Sequence, residues 1–131
     1  MKFSTELRNA RANQLEVVAG TSPLLRFYSG SAPTNVSDAA TGTLLSEVTL
    51  PADWLTDAAN GVKSKVGTWS DPAADATGTA GYARLYKADG TTAVAQFTVG
   101  TSGAEINLLT LAFVAGMPLT IESFTFTDGN A

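Results

Sequence analysis

Cysteine and histidine are both missing from the 131 residues. Without cysteine there is no disulfide and no thiolate metal site. Without histidine the commonest general base and metal ligand is gone, and a Ser-His-Asp triad is excluded. Basic residues are scarce: eight Lys and Arg against twelve Asp and Glu give a net charge of −4, with a pI near 4.5. A nucleic-acid-coating protein needs a basic surface to displace counterions, so no nucleic-acid partner is expected. No apolar run approaches the ~20 residues of a membrane span, so no membrane partner is expected. Met1-Lys2 is not followed by the apolar run of a signal peptide. What is abundant is Ala, Thr, Gly and Ser, which suits a β protein with many small turns. The length fits one domain, divided here into an N-terminal helical arm (1–20) and a single β domain (21–131).

The clearest pattern lies in residues 81–100, GYARLYKADGTTAVAQFTVG. Two arms of period two flank Asp89-Gly90, a pair that readily accepts the positive φ of a tight hairpin. Ala83 and Leu85 take one face, and Tyr82, Arg84 and Tyr86 the other. Ala95, Phe97 and Val99 form the apolar set of the second arm, so Leu85 and Phe97 are expected in the core. Residues 4–19 predict the one helix: Ser4 or Thr5 caps it, Glu6 sits in the first turn and Gly20 stops it. Phe3, Leu7, Ala10, Gln14 and Val18 lie along one face, flanked by Leu15, Arg8 and Arg11. This thin stripe fits either a helix packed on its own sheet or an arm lying on a neighbouring subunit.

Further strands are expected at 24–28 and 43–50, the latter with Leu44, Val48 and Leu50 on one face. Residues 61–69 place Val62 and Val66 inward and Lys63 and Lys65 outward. Segments 29–42 and 70–78 read as loops, and 51–55 as a break in the pattern. The last long strands are 105–113 and 119–127. The parity switch from Leu119 and Ile121 to Phe124 and Phe126 implies a bulge near Ser123. About seven strands without strand–helix–strand alternation predict a mainly β fold: an antiparallel β-sandwich or jelly roll with one N-terminal helix.

No catalytic site is legible. The lysines look exposed, which disfavours Ser-Lys chemistry. Asp53 with Asp57 and Asp71 with Asp75 are the nearest carboxylate pairs, and each sits in a turn-like segment where Asp bonds backbone N–H groups. Residues 70–78 lack the ordered spacing of a calcium loop. No metal and no cofactor are expected. Trp54, Trp69, Tyr82 and Tyr86, with Tyr28, read either as a ligand platform or as a buried or subunit-contact layer. Residues 1–26 carry a net +2 and residues 88–131 a net −4, counted as four bases less two acids and four acids with no base. That asymmetry allows head-to-tail pairing.

The segments LRNARANQLE, LLRFYSGSAPTN, GTLLSEVTL, DATGTAGYARLYKADGTTAVAQFTVG, INL and SFTFTDGN together resemble a group of small tailed-bacteriophage virion proteins of the head decoration or cement type. The likeness runs over residues 7–130 and rests on turns and strands, with no catalytic signature. It implies a protein on the outer capsid surface that stabilises the head by bridging subunits of the major capsid protein, with self-association as dimer or trimer. Phe3, Leu7, Arg8 and Arg11 are the expected capsid-facing residues, on the strength of the stripe and its cations. The alternatives are a tail or head–tail joining protein, and a carbohydrate-binding module that stacks sugars on Trp54 and Trp69.

Overall fold

The run 5–19 can form a helix because its termini are satisfied locally. The Ser4 hydroxyl accepts from the Leu7 amide at 3.1 Å, and the Gly20 amide donates to the Glu16 carbonyl at 2.8 Å. This is α1 (Thr5–Ala19). The computed structural model describes residues 2–128. Over these, strands account for 39% and helix for 12%, so the chain is mainly β, as its patterning predicts. The strands are β1 (Leu24–Ser29), β2 (Leu44–Thr49), β3 (Val62–Ser64), β4 (Ser70–Asp71), β5 (Gly78–Tyr86), β6 (Ala93–Phe97), β7 (Val99–Gly100), β8 (Ile106–Leu108), β9 (Ala112–Phe113) and β10 (Leu119–Thr127).

They form two sheets. The first runs β2-β1-β5-β6, with β9 on β5; the second runs β3-β10-β8-β7, with β4 on β10. All pairs are antiparallel except β7 with β8, which is parallel. The expected hairpin is present, with Leu85 opposite Ala95 and Ala83 opposite Phe97. Its turn is held by Asp89, which accepts from the Thr91 and Thr92 amides and the Thr92 hydroxyl, while Gly90 supplies φ 73°. One apolar cluster draws Phe27, Leu85 and Phe97 from the first sheet and Ile106, Ile121 and Phe124 from the second. The Phe97 and Phe124 rings, one from each sheet, meet edge to face at 5.0 Å.

Several expectations need correction. The second hairpin arm does not run through to Val99: it breaks at Thr98, and Val99 belongs to the second sheet. Residues 105–113 are likewise two short strands, β8 and β9, that pair in different sheets. In β2 it is Leu45 that is fully buried, while Leu44 is only half-buried. The reason is a register shift in which Phe27 pairs Ser46 but Tyr28 pairs Leu44, so Leu45 is an extra residue turned into the core. The bulge expected near Ser123 is there, between Ile121 and Ser123. Residues 70–78 contain β4, whose buried Asp71 accepts from the Ser46 hydroxyl at 2.6 Å. Trp54 and Leu55, in the presumed break, are core residues.

The largest reversal concerns Lys63, which points inward and is 1% exposed, whereas Val62 and Val66 are half-buried. Its ammonium meets Glu16 at 2.7 Å and Asn13 at 2.7 Å. Both partners belong to α1, which covers β3 and so converts an outward strand position into an inward one.

Candidate functional site

α1 is anchored through polar groups. The Arg8 guanidinium donates to the carbonyls of Asp128 and Asn60 at 3.0 and 2.8 Å. Asn9 and Asn13 accept from the amides of Gly61 and Ala58. Arg11 pairs with the Asp128 carboxylate at 3.0 Å, and the Trp54 indole N–H reaches the Gly20 carbonyl at 3.2 Å. Ala12, Ala19 and Leu15 add the apolar share of the docked face. The basic N-terminal region therefore meets acidic Asp128 of its own chain.

Because the polar side faces in, the thin apolar stripe faces out. Leu7 is 45% exposed, Val17 67% and Val18 50%, with Ala10 and Gln14 between them also exposed. A helix packed by its apolar side would show the opposite arrangement. Of the four expected partner-facing residues, Leu7 stands on this outer face. Arg11 lies at its margin with its guanidinium 4.5 Å from the Phe3 ring centroid. Phe3 is half-buried, and Arg8 is taken up by the body. Val17 has no place in the stripe read from the sequence; its exposure follows from which side of α1 the body occupies.

The second group lies on the outer side of the first sheet, under residues 30–42. Tyr82, Arg84 and Tyr86 share a face as expected, and all three are buried. The Tyr82 hydroxyl donates to the Thr41 carbonyl at 2.7 Å and accepts from the Thr41 amide at 2.9 Å. Its ring stacks on Tyr28 at 5.2 Å. Arg84 donates to the Asp38 carbonyl at 2.7 Å and to Gln96 Oε1, and the Gln96 amide reaches the Pro33 carbonyl at 3.0 Å. Polar side chains of β5 and β6 thus fasten a turn-rich loop whose own apolar content is too low to bury it. Burial and the neighbouring Tyr86 hydroxyl push the Tyr28 phenol up to about 12. Burial raises Tyr86 too, but hydrogen bonds from Tyr28 and Arg84 and the charges of Arg84 and Arg26 outweigh it, and the net direction is down. The Arg26 guanidinium lies 4.5 Å over the Tyr86 ring.

Trp54 and Trp69 are each 1% exposed and their rings pack 6.0 Å apart within the core. They offer no face to a sugar, which removes the stacking platform proposed for them from sequence. Asp53 and Asp57 are exposed at the surface. Asp71 is held by Ser46 and by the Ala73 amide. No group of three or more acidic side chains placed to hold a metal occurs among the described residues. Sequence reasoning grouped the tyrosine row correctly but missed Gln96 and Asp38 as its partners, because the loop that brings them carries no periodic signal. The resemblance to decoration proteins ends in SFTFTDGN, of which Gly129 and Asn130 lie outside the described residues. Comparison of the chain with protein-family models, with curated proteins and with solved structures returns no match.

Proposed function

We propose that this chain is a structural protein of a bacteriophage virion, a β-sandwich or jelly roll that decorates the outer capsid surface and strengthens the head by bridging subunits of the major capsid protein. The observation that carries the reading is the inverted helix: α1 spends its polar side on its own body and leaves Leu7, Val17 and Val18 outward. Apolar side chains held out on an ordered helix gain burial only from a partner. The two sheets sharing one apolar cluster support the sandwich description. The choice of the major capsid protein as partner rests on the resemblance in turns and strands. Mechanically, many weak bridges act together, so separating two capsid subunits breaks several contacts at once. Self-association about local symmetry axes, as dimer or trimer, belongs to the same reading.

Arg8 leaves the expected contact set, since its donors are committed within the chain, and Val17 and Val18 enter it. Removing residues 1–19 would not test this contact cleanly, because it would strip Glu16 and Asn13 from buried Lys63. Copy number in purified particles tests the location. On the order of hundreds per head supports decoration, whereas about six or twelve would assign the chain to the neck or tail, following the symmetry of those parts.

A further inference from the structure

Between residues 36–40 and the β5–β6 turn lies a cleft with a charge on its floor. Arg84 is 2% exposed, yet among the described residues its guanidinium joins no ion pair; those formed are Arg11–Asp128, Arg26–Glu47 and Lys63–Glu16. Its hydrogen bonds run to the Asp38 carbonyl, the Gln96 amide oxygen and the Tyr86 hydroxyl, none of them a carboxylate. A buried cation is ordinarily matched by an anion, because burial without one forfeits hydration. Arg26, on the same face, has its match in Glu47 at 2.6 Å. The Asp38 carboxylate is turned to its own loop, accepting from the Asn35 amide at 3.1 Å.

The cleft over Arg84 has a volume of about 250 Å³ and is lined also by Val36, Ser37, Tyr86, Thr91 and Ala93. At ~30 Å³ per water this is room for roughly eight waters, or for one small organic acid. Apolar Val36 and Ala93 suit a carbon body, and the Ser37 and Thr91 hydroxyls suit a hydroxylated one.

We propose that this cleft binds a small organic carboxylate, whose anionic group sits against Arg84 beside Tyr86 and whose body lies between Val36 and Thr91. A single negative charge is what the site takes: one arginine is unmatched, and Asp38 at the wall repels a dianion such as phosphate. The site lies on the first sheet and α1 packs on the second, so it stands apart from the proposed capsid contact.

Titration of the isotope-labelled full chain, followed by the Arg84 Nε–H and the Thr91 and Ala93 amide resonances, tests it. Acetate is compared with its neutral counterpart acetamide, and glucuronate with glucose. The expected result is saturable shifts with the two carboxylates and none with the neutral pair. Arg84→Gln should weaken binding at least about tenfold, the loss expected when a charge-assisted bond becomes a neutral one. Since that change also loosens the loop, Ala93→Leu provides a second variant: it fills the cleft, leaves the Arg84 bonds in place, and should abolish the shifts. Equal responses to acetate and acetamide, no saturable response to either carboxylate, or wild-type binding by Ala93→Leu would overturn the assignment. A uronate oligomer binding more tightly than glucuronate would name a polymer as the source of the carboxylate, and weaker binding a free acid; either supports the site.

Discussion

Lys63 illustrates how a single side chain can join two parts of the molecule. Its ammonium is buried and depends on Glu16 and Asn13 of α1. Glu16→Gln would leave that charge buried without an anion, and a loss of about 2 kcal/mol in urea unfolding is expected, discounted from a fully buried pair because Glu16 is part-exposed. Lys63→Met removes the buried charge itself and should cost less than Glu16→Gln; the reverse order would mean that the pair is not what holds α1 down. Asp89 acts more locally. Hydrogen bonds from the Thr92 and Thr91 amides and from the Thr92 hydroxyl hold its carboxyl down to about 2, below the usual 3.8. Its support for the hairpin is therefore complete above pH 3.8 and lost as pH falls toward 2. Asp89→Ala should lower the melting temperature at neutral pH, and the difference from wild type should vanish in that acid window. The Asp89 turn was legible in the sequence because Asp-Gly between alternating arms has few other readings. Lys63 was not, because strand alternation marks it as opposite the valines without saying which side a helix will cover.

At the scale of elements, strands were read more reliably than the faces they present. Period two alone places β1, β5, β6 and β10, and the parity switch in β10 exposes its bulge. The bulge in β2 was hidden because Leu44 and Leu45 are adjacent and equally apolar, so either can be assigned inward. Leu45→Ala should cost about 3 kcal/mol, the range for a fully buried leucine, while Leu44→Ala should cost less than half of that. α1 was found with its caps, but its thin stripe could not declare its direction; the deciding contacts come from Asn60, Gly61, Lys63 and Asp128, distant in sequence. Loop 30–42 approaches β5 at Gly81, where a Cβ would stand 1.7 Å from the Gly30 carbonyl oxygen. Gly81→Ala is expected to cost roughly 1–3 kcal/mol through this clash. It should also speed hydrogen exchange at the Thr41 amide, which is bonded to Tyr82, more than at Leu85 in the strand centre. Uniform acceleration at both would show that the loop is not separately fastened.

For the molecule as a whole, two sheets close on one apolar cluster and a helix seals β3 with its polar side. On the outer face of that helix Leu7, Val17 and Val18 stay exposed. The fold was legible to the level of strands plus helix because burial patterns are local. The order of strands was not, because the crossings at Thr98 and between β8 and β9 are set by packing across the core. The capsid partner is a proposal that rests on the exposed strip and the resemblance, so it is tested at the surface. Leu7→Asp with Val17→Asp changes two exposed residues and should leave the melting temperature within a few degrees, since neither contributes to the core. The most direct measurement is co-sedimentation of wild type and this double variant with capsids lacking the protein. Saturable binding by the wild type, on the order of hundreds of copies per head, with little or none by the folded variant is the predicted result. Equal occupancy by both, or no binding by the wild type, would contradict it.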